Sequence, residues 1–213
     1  MDAIILAGGK GQRMGEDLPK PLIVAQNKTI IDRQIDYLKN RVDRIIVSLG
    51  HRADEVITHL QKKNNPNILF CVENEPLGTG GGLKKALQYS SAEKVVVINC
   101  DDIADIDVKV LSELRENTIC VAHPFLPFGL VEESNGYAVF KEKPIMANYT
   151  SMGWYVFIVK DILAHLLDKC MLEYDVFPKI RLRVYKHNGF WRSLNMKKDV
   201  QEFEKIQLPD CLK

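Results

Sequence analysis

Short, largely apolar runs alternate with stretches of helical spacing through the first half of the chain. Residues 3–6, 44–49, 68–72 and 94–99 each read as a buried strand; the first is ended by glycines, the second stops at Gly50 and the last runs into Cys100-Asp101-Asp102. Between them, residues 29–39 carry Ile31, Ile35 and Leu38, and residues 54–60 carry Val56, Ile57 and Leu60, both at helical spacing. Residues 73–82 read as a loop and 83–89 as a helix. Beyond about residue 116 the texture changes. Segments 118–122, 137–140 and 154–159 read as strands without long helices between them, followed by a helix at 161–167, an aromatic stretch and a terminal helix from 197.

Strands and helices in this order predict βαβ crossovers, hence an α/β fold with a mostly parallel, Rossmann-like mixed sheet covered on both faces in three layers, α/β/α. No repeat or linker interrupts the chain, so residues 1–213 are expected to form a single domain, with one lobe at about 1–116 and another at about 117–213. In such sheets ligands sit outside the carboxyl ends of the strands. Here those ends carry a Gly-rich loop after the first strand, a second Gly-rich loop after the third and an acidic pair after the fourth.

The first loop, Leu6-Ala7-Gly8-Gly9-Lys10-Gly11-Gln12-Arg13, has three glycines in four positions, which lets backbone N–H groups approach phosphate oxygens closely. Arg13 adds a planar fork of donors and Lys20 a mobile point charge; Pro19 and Pro21 restrict the backbone around that lysine. Two other phosphate loops are excluded. No G-x-x-x-x-G-K-[ST] sequence exists, and a dinucleotide fingerprint starting at Gly9-x-Gly11 would need glycine where Met14 stands. The pattern predicts a nucleoside triphosphate wrapped by Leu6, Ala7, Gly8, Gly9 and Gly11.

Composition narrows the setting. The 213 residues suffice for one well-packed domain. With 29 basic and 28 acidic side chains the formal charge is +1, so no global field exists to capture nucleic acid or an anionic membrane, and neither is expected as a partner. Phosphate chemistry therefore rests on a few locally placed cations. Five scattered cysteines (Cys71, Cys100, Cys120, Cys170, Cys211), without C-x-x-C spacing, read as reduced and mostly core-filling residues of a cytoplasmic protein. No apolar run approaches the ~18 residues of a membrane helix.

The ordered set of motifs resembles the sugar-1-phosphate nucleotidyltransferase family. It comprises Leu6-Ala7-Gly8-Gly9-x-Gly11-x-Arg13, Pro19-Lys20-Pro21-Leu22, Gly50-His51-Arg52, Pro76-Leu77-Gly78-Thr79-Gly80-Gly81, Asn99-Cys100-Asp101, Glu142-Lys143-Pro144 and Gly189-Phe190-Trp191. The second Gly-rich loop most resembles the small members: heptose-1-phosphate and mannose-1-phosphate guanylyltransferases and MurNAc-1-phosphate uridylyltransferases. The resemblance implies a Mg²⁺-dependent reaction in which a sugar 1-phosphate attacks the α-phosphorus of an NTP, releasing pyrophosphate. Such chemistry depends mainly on positioning and charge neutralisation. Arg13 and Lys20 would then hold the triphosphate, Gly78 and Thr79 would contact the nucleotide, and Lys143 would grip the sugar phosphate. Glu142 would bond sugar hydroxyls, with Gly136 and Gly153 allowing close backbone approach. Asp101 matches the family's metal-binding aspartate, a hard ligand suited to a partly hydrated ion. Asn195 takes the position of a second aspartate, where an amide oxygen ligates without negative charge. Cys100 departs from the glycine commonly found before the first.

The remaining residues carry less. Glu73, where uridylyl- and thymidylyltransferases of this fold often have glutamine, is a pure acceptor; guanine offers it two neighbouring donors, so GTP is the expected nucleotide. The competing description of Glu73 is a solvated loop residue alternating with Glu75. His51 reads as structural because an ionised phosphate needs no general base. Asp102 reads as a helix cap. Trp154 and Tyr155 fit either the sugar site or the core, and Glu173 lies in a stretch resembling the family's sugar side. Two alternatives share the N-terminal signature: a cofactor nucleotidyltransferase acting on molybdopterin, cobinamide phosphate or methylerythritol phosphate, and a sugar-nucleotide-binding regulatory subunit without turnover.

Overall fold

The parallel strands expected from the apolar runs form, in the computed structural model, the centre of one seven-stranded sheet. The structure describes residues 1–213 apart from 16, 17, 64 and 127. In chain order the elements are β1 (Asp2–Ala7), a small hairpin of β2 (Val24–Ala25) and β3 (Lys28–Thr29), α1 (Ile30–Leu38), β4 (Ile45–Leu49), α2 (Ala53–Gln61), β5 (Ile68–Val72), α3 (Gly78–Leu87) and β6 (Lys94–Asn99). There follow β7 (Asp102–Ala104), α4 (Val108–Glu113), β8 (Thr118–Ala122), the hairpin β9 (Leu130–Ser134) and β10 (Tyr137–Lys141), β11 (Thr150–Ile158), α5 (Val159–Leu163), β12 (Arg183–Lys186), β13 (Trp191–Ser193) and α6 (Lys197–Phe203).

The sheet order is β12-β8-β11-β6-β1-β4-β5. Strands β6, β1, β4 and β5 pair parallel, as does β12 with β8, while β11 runs antiparallel to both of its neighbours. Strand periodicity sends alternate residues of β1 to opposite layers. Ala3, Ile5 and Ala7 pack with Ile31, Ile35 and Leu38 of α1, Val56 and Leu60 of α2, and Phe203 of α6. Ile4 packs on the other side with Leu83, Ala86 and Leu87 of α3, Ile162 of α5, and Leu172 and Val176 of a single π-type turn at Leu172–Val176. Helices on both faces complete the three layers. Thr29 caps α1 by accepting a hydrogen bond from the Asp32 N–H at 3.1 Å.

The observed elements differ from the expected ones in detail. The helix expected at 83–89 begins at Gly78 and ends at Leu87. Glycine disfavours a helix locally, yet the Gly80 and Gly81 N–H groups both donate to the Cys170 carbonyl (2.9 and 3.2 Å), and that tertiary contact holds the first turn. The strand expected at 137–140 is β10, but its partner β9, the hairpin β2–β3 and the edge strand β12 are too short or too polar to stand out in the hydrophobic pattern. Trp154 and Tyr155 are core residues: Trp154 is fully buried and Tyr155 stacks on Phe157 with centroids 5.7 Å apart.

Strand β11 carries an irregularity between Ser151 and Tyr155, centred on Gly153 at φ +70°. A Cβ there would collide with the Asp102 carboxylate. Gly153→Ala is therefore expected to lose roughly 2–4 kcal/mol from left-handed strain and overpacking together, lowering Tm by about 5–10 °C. Thermal melts of the two proteins check this.

Candidate active-site cleft

The carboxyl ends of β1, β4 and β6 lie side by side, with Leu6 paired to Ser48 on one flank and Asn99 on the other. All three residues line a cleft of about 540 Å³. The loop leaving β1 is pinned from outside: the Gly8 carbonyl accepts from the His51 N–H at 3.2 Å, and a Cβ on Gly50 would sit 2.8 Å from that oxygen. The structural role expected for His51 is thus carried by its backbone. Gly9 has nothing within 4 Å of a would-be Cβ, so its backbone is open to a ligand. Gly11 takes φ +61° where Lys20 packs against it. Leu6, Ala7, Gly8, Gly9, Gly11 and Arg13 all line the cleft, as does Lys10.

Lys20 opens a short 3-10 turn and directs its ammonium to the Asp101 carboxylate at 2.5 Å. Both side chains are about four-fifths buried. Asp101 lies just past the end of β6, and its carbonyl accepts from the Leu194 N–H at 2.9 Å. That bond carries Asn195 to the same cleft. The backbone N–H groups of Asn195 and Met196 both donate to Asp199 at 2.8 Å, which ties this corner to the start of α6. Asn195 Nδ2 donates to Ser193 Oγ at 2.8 Å, leaving its carbonyl oxygen as the end able to accept or ligate. One carboxylate and one amide oxygen are hard donors that fit a largely hydrated Mg²⁺ rather than an all-protein cage. No cluster of three or more His, Cys, Asp or Glu able to hold a metal occurs among the described residues.

Asp102 corrects its reading as a cap. It begins β7, is almost wholly buried, and accepts hydrogen bonds from Trp191 Nε1 (3.2 Å), Asn99 Nδ2 (3.4 Å) and Ser193. The residue that caps α4 is Asp107, which accepts from the Lys109 N–H at 2.8 Å. Burial first, and then the neighbouring Asp101 charge, push the Asp102 carboxyl up to about 8, against the pull of those hydrogen bonds.

The second Gly-rich loop has a different task from the first. A Cβ on Gly78 or Gly80 would lie 2.5 Å from Cys170 atoms, so these glycines admit the segment 168–172 rather than a phosphate. Gly78 and Thr79 nonetheless line the cleft, together with Pro76 and Met171. Glu73 reaches it as well. Its two oxygens accept from Ser48 Oγ (3.1 Å) and the Leu77 N–H (3.2 Å), while Gly8 and Gly82 leave room beside it. That contradicts the picture of a freely solvated loop glutamate.

The structure does not bring Lys143, Glu142, Gly136 or Gly153 to the cleft wall. Gly136 (φ +83°) follows Asn135 (φ +52°) at the exposed tip of the β9–β10 hairpin, a turn that demands positive φ. Gly153 accommodates Asp102. Lys143 is exposed and pairs with Glu202 at 2.9 Å, and it holds φ +42° directly before Pro144, a conformation that proline disfavours in its predecessor. Backbone strain of this kind clusters at functional segments. Cleft residues that the sequence pattern did not single out are Ser48 and Met171, while Lys10, Pro21, Pro76 and Asn99 stood within the motifs without a contact assigned to them. Ser48 and Asn99 had a usable signal, since both sit at carboxyl ends of central strands. Met171 had none.

Residues 3–174 match the sequence profile of the MobA-like NTP transferase domain. Among curated proteins, the chain is 36% identical over 118 residues to a D-glycero-alpha-D-manno-heptose 1-phosphate guanylyltransferase of Aneurinibacillus thermoaerophilus, covering 53% of this chain and 51% of that protein. It is 31% identical over 221 residues to the mannose-1-phosphate guanylyltransferase catalytic subunit beta of Drosophila melanogaster, covering 92% and 60%. The chain thus spans about half to three-fifths of the length of these relatives. The crystal structure of HddC from Yersinia pseudotuberculosis superposes with a TM-score of 0.80 at 30% identity, covering 96% of this chain and 98% of that one; its complex with GMP-PN gives 0.78 at 28%.

Asp102 makes stability depend on pH. Its folded-state pKa is raised, so the unfolded chain releases the proton near 4 while the native chain keeps it until about 8. The contribution is full below pH 4 and is lost as pH rises through that window. In chelator-containing buffer, the unfolding free energy of the native protein is expected to fall relative to Asp102→Asn between pH 5 and pH 8. Denaturant titrations at both pH values measure it; a difference independent of pH would contradict the assignment.

Proposed function

We propose a function from the premise that this chain belongs to the MobA-like NTP transferase domain family: it joins the nucleotidyl group of GTP to a sugar 1-phosphate of the heptose or mannose type, releasing pyrophosphate. The observation that carries the reading is the convergence, in one cleft, of the open Gly-rich backbone, Arg13, Lys20, Asp101 and Asn195. The guanylyltransferase activities of the relatives support the choice of substrates. No described helix is long and apolar enough to cross a membrane, which suits a reaction among soluble metabolites in the cytoplasm.

Backbone N–H groups around Gly9 and Gly11 receive the phosphate oxygens. Arg13 forks onto two of them, and Lys20 turns from Asp101 to the charge that builds at the α-phosphate and the departing pyrophosphate. Asp101 and the Asn195 oxygen would hold Mg²⁺, which, when bound, neutralises phosphate charge and polarises the α-phosphorus. Glu73 faces the base. Each of its oxygens keeps a lone pair beyond the bonds to Ser48 and Leu77, so both remain able to accept the N1–H and 2-amino donors of guanine. Lys143 leaves Glu202 to hold the acceptor phosphate, and Glu142 meets sugar hydroxyls. An exposed ion pair of this kind costs little to exchange.

An activity matrix of four NTPs against mannose, heptose, glucose and MurNAc 1-phosphates, read by pyrophosphate release with and without Mg²⁺, tests the reading. Turnover confined to GTP with a manno-configured acceptor is expected, and no turnover with any pair would sink it. Lys20→Ala and Asp101→Ala are each expected to lower kcat by about 100-fold or more with an unchanged circular dichroism spectrum; near-native kcat would refute their roles. Glu73→Gln is expected to narrow the preference for GTP over UTP by about tenfold, and an unaltered NTP profile would remove the base assignment.

A further inference from the structure

The segment from Asp168 to Glu173 packs in the same layer as α3 and lies on its first turn. Its backbone is stitched there: the Cys170 carbonyl accepts from the Gly80 and Gly81 N–H groups, and the Cys170 N–H donates to the Leu77 carbonyl at 3.0 Å. One side chain joins the two strips. Thr79 Oγ accepts from the Leu172 N–H at 2.9 Å and donates to Glu173 Oε2 at 2.9 Å, so a single hydroxyl is satisfied in both directions. The bond to Glu173 is charge-assisted, and both residues are only half-buried. Immediately before this junction Met171 lines the nucleotide cleft beside Gly78 and Thr79. The π-type turn that follows is of a kind used mostly at functional sites, and its start is secured by Asp175 Oδ2, which accepts from the Met171 N–H at 2.7 Å.

We propose that Glu173 is a positioning residue for the nucleotide: through the Thr79 hydroxyl it locks the segment 168–173 onto α3 and so sets the cleft wall made by Gly78, Thr79 and Met171. The assignment rests on the reading of the cleft as an NTP site. It differs from a role for Glu173 in touching the sugar, because the carboxylate acts on the nucleotide side and through another residue.

The test uses Glu173→Ala, Glu173→Gln, Thr79→Val and the double variant Glu173→Ala/Thr79→Val in the full chain. Calorimetric titration with GTP gives Kd, steady-state assays give KM for each substrate, and hydrogen exchange is followed at the Gly80 and Gly81 amides. Glu173→Ala and Thr79→Val are each expected to raise the GTP Kd about tenfold, speed exchange at both glycines and leave KM for the sugar phosphate within twofold. Glu173→Gln, whose amide oxygen still accepts from Thr79, is expected to restore most of the affinity. The double variant should be no weaker than either single change, because both remove one interaction. An unchanged GTP Kd with a raised sugar-phosphate KM in Glu173→Ala, or additive losses in the double variant, would overturn the proposal. Faster glycine exchange does not depend on any ligand. If the native protein bound none of GTP, UTP, CTP and ATP, the functional reading would fall, whereas unchanged exchange in Glu173→Ala would count against the lock itself.

Discussion

Two adjacent carboxylates leave β6, and one of them is buried in the sheet. Asp102 is tolerated there because Trp191, Ser193 and Asn99 donate to it and Gly153 leaves space for it. Its backbone carbonyl accepts from Gln34 of α1 (2.8 Å) and from Trp154 of β11 (3.0 Å). One residue thus connects β6, β7, β11, β13 and α1. The same connections decide where Asp101 and Asn195 come to rest, since both lie on segments whose paths are set by the β7–β13 ladder. Burial keeps this carboxyl protonated to about pH 8, and without those partners its buried polar atoms would cost a few kcal/mol. Neighbouring secondary structure is arranged around meeting that demand.

The two Gly-rich loops show one residue type serving two physical ends. In the first, absence of a side chain at Gly9 keeps backbone donors open to solvent and ligand. In the second, absence of side chains at Gly78, Gly80 and Gly81 lets another stretch of the same chain come within hydrogen-bonding range. The helix-start N–H groups that a phosphate would otherwise use are taken by a carbonyl. The open backbone therefore belongs to the first loop, and wall-building to the second.

Charge is deployed locally in a molecule that has almost none overall. Lys20 meets Asp101 in the cleft and Lys143 meets Glu202 outside its wall, so each of these two lysines is held by a single carboxylate. Such pairs keep a basic group ordered without an extended positive field. The largely buried pair is better shielded from water and salt, and the exposed one is readily exchanged.

Much of this was legible in the residues. Short apolar runs alternating with helical stretches read as buried strands, and strand ends in a parallel sheet are where ligands sit, so the first loop, Lys20, Glu73 and Asp101 could be placed together before any coordinate. Local pattern failed where long-range contacts outweigh propensity. The first turn of α3 is helical because Cys170 approaches it from a distant part of the chain. Asp102 is a buried hub because Trp191 and Ser193 reach it from residues nearly ninety positions away. Glu142 and Lys143, which form one of the family's motifs, and Gly136 lie outside the cleft wall in space. Chemistry carried by short, contiguous motifs is written in the sequence. Which of those motifs face one another, and which glycines admit backbone rather than ligand, only the tertiary structure decides, because close approach is a property of pairs of segments that neither segment encodes alone.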